Sequence, residues 1–199
     1  MEKLVLAKVF IKSILDYKKC NSLRDSEKNI VDEILKAIED DDAKQINWFQ
    51  QFGDDSRCLV QNVQDYRKGW EFGFTEIAFG TYQWLKRPDF LNIEEMDFGN
   101  AERRSERSVI KLGHGPNSVW TYGLNYSFGM AGGGYGLSVY GKQFKNRENA
   151  LAAALIELKN MMEARVGDKD TSNHKQPLIL STLRDIAKMQ NSLVQLTLF

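Results

Sequence analysis

Five carboxylates, Asp54, Asp55, Glu94, Glu95 and Asp97, are the side chains that could hold a magnesium ion for phosphodiester cleavage. Such an ion needs acids that converge from several elements in three dimensions, and no motif spacing in the chain marks that convergence. Asp40-Asp41-Asp42 is a second acidic run and reads as a solvated loop closing a helix. His114 and His174 stand apart, Cys20 and Cys58 form no CxxC pair, and a tetrahedral zinc site lacks ligands at a useful spacing. No serine–histidine–acid or cysteine–histidine set stands out. Gly132-Gly133-Gly134 leads into Tyr135 and more strand pattern, whereas a phosphate-binding loop needs Gly-Lys-Ser/Thr or GxGxxG at a helix start. It reads as a hairpin tip. The chemistry-bearing residues therefore predict a non-enzymatic protein with no metal and no cofactor.

The chain of 199 residues is 42% hydrophobic and 27% charged, enough to bury a core. Net charge is zero but uneven: residues 1–100 carry 14 Lys/Arg and 19 Asp/Glu, residues 101–199 carry 13 and 8. A basic half can face phosphates. Two thiols and no apolar run of membrane-spanning length predict a cytoplasmic, soluble protein without a membrane partner.

The elements that position these residues form an α+β chain. Residues 1–100 read as a helical, aromatic-rich lobe, with helices over about Leu4–Tyr17 and Ser26–Ile38, the latter capped by Ser26 or Asn29. Ile46–Phe52 suits a helical turn or a strand. Trp70, Phe72, Phe74, Phe79, Tyr82 and Trp84 suit a core under short elements, or else a stacking surface for bases. Thr75–Leu85 reads as helix, ending before Pro88.

Residues 101–165 read as a small antiparallel sheet packed by a helix. Val109–Leu112 starts a strand, and Val119–Phe128 alternates, with Trp120, Tyr122, Leu124, Tyr126 and Phe128 on one face and Thr121, Gly123, Asn125 and Ser127 on the other. Leu137–Tyr140 reads as a third strand. Asn146 caps a helix whose buried face is Ala150, Leu151, Ala154, Leu155, Leu158, Met161 and Met162. Residues 166–199 read as a linker, a helix over Ser181–Leu193 with Leu183, Ile186, Ala187, Gln190 and Leu193 on one side, and a tail.

Two resemblances follow from these residues. Residues 109–162, with Trp120 in the second strand and Gly141, Phe144, Arg147-Glu148 and Ala150 entering the helix, resemble the three-stranded-sheet-plus-helix modules of integrase arm-binding and AP2-type domains. They also resemble modules of phage and plasmid proteins, some of them partition-protein-like. That resemblance implies contact with duplex DNA through the sheet face opposite the helix. Candidate contacts are Lys111, Thr121, Asn125, Lys142, Lys145 and Arg147. The sequence Gln195-Leu196-Thr197-Leu198-Phe199 resembles the bacterial sliding-clamp-binding motif, Gln-Leu-(Ser/Asp)-Leu-Phe, with Thr197 at the small polar position. The resemblance implies that Gln195 orients the peptide, Leu196 packs at the pocket rim, and Leu198 and Phe199 are the anchors. A peptide of this kind concentrates its affinity in a few buried side chains, for about −8 kcal/mol at micromolar affinity.

The expectation is a phage- or mobile-element-type accessory protein that docks on the bacterial sliding clamp, in DNA replication or host takeover. Competing with it is an anti-defence inhibitor or interaction module whose aromatic region binds a host defence or replication protein. A final strand or helix end folded on the core would be the structural alternative for Leu193, Leu196, Leu198 and Phe199.

Overall fold

The computed structural model describes residues 2–20, 22–99, 103 and 106–196, the side chains of 2–9, 20 and 194–196 excepted. The architecture is α+β, and the chain divides into two compact units at Pro88/Asp89.

The first unit is built from α1 (Glu2–Cys20), α2 (Asp25–Glu39), α3 (Ala43–Gln50) and α4 (Ser56–Glu71). Ile14, Ile30, Val31, Ile34, Phe49, Phe52, Leu59, Val60 and Val63 recur at helical spacing, and together they form its core. Each such side chain removed from water stabilises the fold by about 1.5–3 kcal/mol. Glu27, rather than Ser26 or Asn29, closes the start of α2, its carboxylate accepting the Arg24 backbone N–H at 2.7 Å. Hydrogen bonding from Arg24 outweighs burial and holds the Glu27 carboxyl below its ordinary pKa. The acid run acts locally, because Asp42 caps α3 by accepting from Lys44 N and Gln45 N. Asp55 caps α4 in the same way through Arg57 N and Cys58 N.

The helix expected over Thr75–Leu85 does not form. Residues 79 and 85 instead make an isolated antiparallel bridge around a turn. Gln83 there has φ +61, outside helix geometry. Asn62 of α4, fully buried, fixes that turn: its amide donates to Phe52 O and Gln83 O, and its oxygen accepts Leu85 N–H, all at 2.8 Å.

The second unit is an antiparallel sheet in the order β1 (Leu91–Gly99), β2 (Arg107–His114), β3 (Trp120–Ser127), β4 (Gly132–Tyr135), with helices α5 (Arg147–Glu163) and α6 (Gln176–Leu196). The sheet thus begins at Leu91 and takes in a strand that the sequence assigned to the helical lobe. The reason is register: Met96 pairs with Ile110 and Phe98 with Ser108. The last strand is the glycine run itself, not Leu137–Tyr140. Gly132 and Gly134 lie so close to the β3 backbone that a Cβ at either would collide with carbonyl oxygens of Tyr126 or Leu124. Asn146 caps α5 by accepting Asn149 N–H at 2.8 Å, and the expected buried stripe is buried except for half-exposed Met161.

The core joins Phe98, Ile110, Leu112, Tyr122 and Leu124 of the sheet to Leu151, Leu155 and Leu158 of α5 and to Ile179 and Ile186 of α6. On α6, Ile186 is buried and Leu183 and Leu193 pack against the core as expected, Thr182 joins the inward stripe, and Ala187 is exposed instead. Residues 166–176, read as a linker, are tied down. Lys175 N–H bonds Phe128 O at 2.7 Å, and Gln176 receives the Gly167 N–H at 2.9 Å. Among the described residues no helix is long and apolar enough to cross a membrane.

Candidate functional site

The register assigns each predicted DNA contact to a face. Strand residues alternate between faces, so Glu94, Met96, Ile110, Leu112, Tyr122 and Leu124 lie on the α5 side, while Glu95, Asp97, Arg107, Lys111, Thr121 and Asn125 lie opposite. Lys111, Thr121 and Asn125 therefore share the opposite face. Arg147 and Lys142 instead meet partners on the α5 side, Glu94 and Glu157. Lys145 is exposed just before α5. The six residues do not form one patch.

The opposite face is also electrically balanced and partly covered. Lys111 bonds Glu95 at 2.5 Å, and Arg107 bonds Asp97 at 3.1 Å. On the α5 side, Arg147 takes both oxygens of Glu94, at 2.7 and 2.6 Å. This bidentate bond holds Glu94 below its usual carboxylate pKa against the opposing effect of burial. Thr121 is fully buried beside Gly141, and the chain at Gly136-Leu137 packs directly on Gly123. The three acids of β1 considered as metal ligands thus each face a cation. Among the described residues no group of three His, Cys, Asp or Glu converges as a metal site.

The charge asymmetry also depends on where the units divide. Residues 1–88 carry 14 Lys/Arg against 15 Asp/Glu, and residues 89–199 carry 13 against 12. The apparent excess of basic residues after position 100 arose because Asp89, Glu94, Glu95 and Asp97 were counted with the wrong unit.

A cluster that the sequence did not reveal sits at the end of β4. Tyr122 and Tyr135 donate to the two oxygens of Glu157, at 2.6 and 2.8 Å, and Lys142 lies 3.4 Å from the same carboxylate. Burial first, then the bond to Glu157, pushes the Tyr135 phenol up to about 12 and raises that of Tyr122 as well. Burial works against the Glu157 charge, but the two phenols and Lys142 outweigh it and hold that carboxyl below its ordinary pKa. The phenols therefore remain hydrogen-bond donors to an ionised acid, and the cluster fastens β3, β4 and α5 together. Residues this far apart in sequence leave no periodic signal.

In the first unit, the aromatics are not all core. Phe49, Phe52 and Phe72 are fully buried, but Trp70 is 63% exposed and Tyr82 80%, with Phe79 and Trp84 at 41% each. Trp48, Tyr66, Arg67 and Trp70 line a shallow pocket of about 410 Å³. Arg67 lies 5.8 Å from the Trp48 ring centroid and pairs with Glu33, so its charge is already engaged.

Of the clamp-type peptide, Gln195 and Leu196 lie in the last turn of α6. Thr197, Leu198 and Phe199 lie outside the described residues. Cys20, the other thiol besides half-buried Cys58, has no described side chain. No protein-family model matches the chain, and neither does any curated protein or solved structure.

Proposed function

We propose that this protein is a non-enzymatic accessory protein of phage or mobile-element type that docks on the bacterial sliding clamp through Gln195, Leu196, Leu198 and Phe199. The observation that carries the reading is the peptide itself: glutamine, leucine, a small polar residue and a Leu-Phe pair in the order of the clamp-binding motif. The paired cations of the sheet turn the emphasis away from duplex DNA and toward protein contact. Docking would either recruit the protein to replicating DNA or compete with host polymerases for the clamp pocket, within the cytoplasm. A clamp ring offers two such pockets. The test is co-elution with purified clamp of the full chain against a chain lacking Gln195–Phe199. Loss of co-elution in a truncation that keeps its circular dichroism supports the reading, and unchanged co-elution removes it.

The exposed Trp70, Phe79, Tyr82 and Trp84 favour a second reading, an anti-defence inhibitor or interaction module that grips a host protein. Tryptophan and tyrosine are enriched among the few side chains that carry most of an interface's binding energy. Capture from bacterial lysate that survives the truncation but is lost on Trp70→Ala with Tyr82→Ala would favour this class over the first.

A further inference from the structure

The bridge between residues 79 and 85 of the first unit makes a small hairpin. Lys86 N–H bonds Ala78 O at 2.7 Å and Gly80 N–H bonds Trp84 O at 2.9 Å, one on each side of the bridge. Gln83 N–H closes the turn onto Gly80 O at 3.2 Å. Asn62 holds Gln83 O and Leu85 N–H, so the turn is fixed without a ligand. Tyr82, at the tip, is 80% exposed, and among the described residues neither it nor Trp84 stacks on another ring. Side chains alternate along an extended chain. Trp84 and Lys86 therefore fall on one side, and Leu85, the bridge partner of Phe79, on the other. Lys86 and Arg87 are exposed, and neither forms an ion pair among the described residues. The cations near the end of α4 differ, because Glu33 holds Arg67 and Glu71 holds Lys68. Residues 72–88 carry one acid, Glu76, against the two free cations.

We propose that this hairpin binds single-stranded nucleic acid, with bases stacked on Tyr82 and Trp84 and phosphates held by Lys86 and Arg87. The combination of free rings and free cations selects this occupant. An apolar partner would bury two cations with no counter-charge. An acidic partner without flat groups would leave both rings uncovered. A nucleotide chain repeats a flat base and an anionic phosphate in every unit. Trp84 followed by Lys86 on one side of the strand offers a ring and a cation in the same alternation. A duplex keeps its base faces inside the stack, so rings on a projecting turn reach only unpaired bases. Stacking of this kind tolerates any base sequence, and the fixed turn spares the ordering cost of a loose loop.

Fluorescence anisotropy tests this, with a labelled oligothymidylate of about 16 nucleotides titrated with the full chain at two salt concentrations. Binding is expected to weaken with salt at a log–log slope of about −1.4, the value for two phosphate contacts on a single strand. The same strand annealed to its complement should bind more weakly. Tyr82→Leu and Trp84→Leu keep apolar bulk but remove the ring, and each should weaken binding about fivefold or more. Tyr82→Phe should bind as wild type does. Lys86→Ala with Arg87→Ala should flatten the salt slope. Circular dichroism checks each fold, and Tyr82→Leu, at an exposed tip, decides the matter should Trp84→Leu unfold the protein. No binding at about 100 μM protein in low salt overturns the proposal. So does binding that folded Tyr82→Leu leaves intact, or a preference for the duplex. Capture of a host protein through Tyr82, with no oligonucleotide bound, assigns the rings to protein contact and overturns it as well. A chain lacking Gln195–Phe199 should bind the oligonucleotide unchanged, so the clamp reading stands or falls separately.

Discussion

Arg147, the first residue of α5, holds Glu94 of β1 through two hydrogen bonds of 2.7 and 2.6 Å. The pair ties the start of the helix to an edge strand of the sheet. It also removes from solution a guanidinium that would otherwise be available to a phosphate.

Arg147→Ala should lower stability by about 1 kcal/mol, the value for a well-aligned charge pair discounted for the exposure of both side chains. The folded Glu94 pKa is depressed, so its contribution is fully present above the unfolded carboxylate value of about 4.3. It is lost as pH falls through the folded value. Urea denaturation should therefore separate wild type from variant at neutral pH, and the gap should close in acid.

Replacing Glu157 by Leu leaves the buried Tyr122 phenol and the more exposed Tyr135 phenol without their acceptor, and should cost about 1–3 kcal/mol. Glu157→Gln, which keeps an acceptor oxygen, should cost less. In the wild type Tyr135 ionises at about 12 when folded and at about 10 when unfolded. The raised folded value means its stabilisation is complete below about pH 10 and is lost as pH rises toward about 12. Thermal midpoints across that alkaline window check the sign, and Glu157→Leu should show a shallower decline.

Asn62→Leu should be among the most damaging changes in the first unit. It strands two carbonyls and one N–H that Asn62 now satisfies at 2.8 Å, at a cost of about 3 kcal/mol or more. Asn62→Asp should also be destabilising, because a carboxylate oxygen would face carbonyl oxygens where an amide donor stood. Denaturation followed by tryptophan fluorescence measures both, with Trp84, the neighbour of Leu85 in the chain, as the reporter.

Gly132→Ala or Gly134→Ala should each cost about 1–3 kcal/mol through overpacking, because the added methyl meets the β3 backbone. Gly136→Ala is the control, since nothing lies within 4 Å of its Cβ position, and its stability should stay near wild type. Chemical denaturation of the three variants side by side decides whether the run is a strand or merely a permissive tip.

What the sequence made legible follows the range of the interactions involved. The α5 stripe from Ala150 to Met162 and the alternation of β3 are local periodicities, and both elements formed where expected. Asp42, Asp55 and Asn146 act on amides two or three residues away, but only the Asn146 cap was marked in advance, by the strong stripe that follows it. The failures involve distant partners. The run 75–85 reads as a helix up to Pro88, but Asn62, more than twenty residues before Leu85, imposes a turn. Glycines rarely indicate a strand, yet Gly132 and Gly134 are required because the β3 backbone passes so near. The proposed DNA contacts were judged by residue type, whereas their availability depends on Glu94, Glu95 and Asp97, which lie across a strand pairing. The peptide Gln195–Phe199 remains a reading of residue order alone.

The placement of Leu91–Gly99 within the sheet bears on how truncated forms of the protein would behave. A fragment starting at residue 101 would retain 13 Lys/Arg and 8 Asp/Glu and would lose every β1 acid that holds Arg107, Lys111 and Arg147. Such a piece would cling to DNA by phosphate attraction that fades with added salt. That retention would report an amputated edge strand, whereas a fragment starting at Asp89 keeps all three pairs.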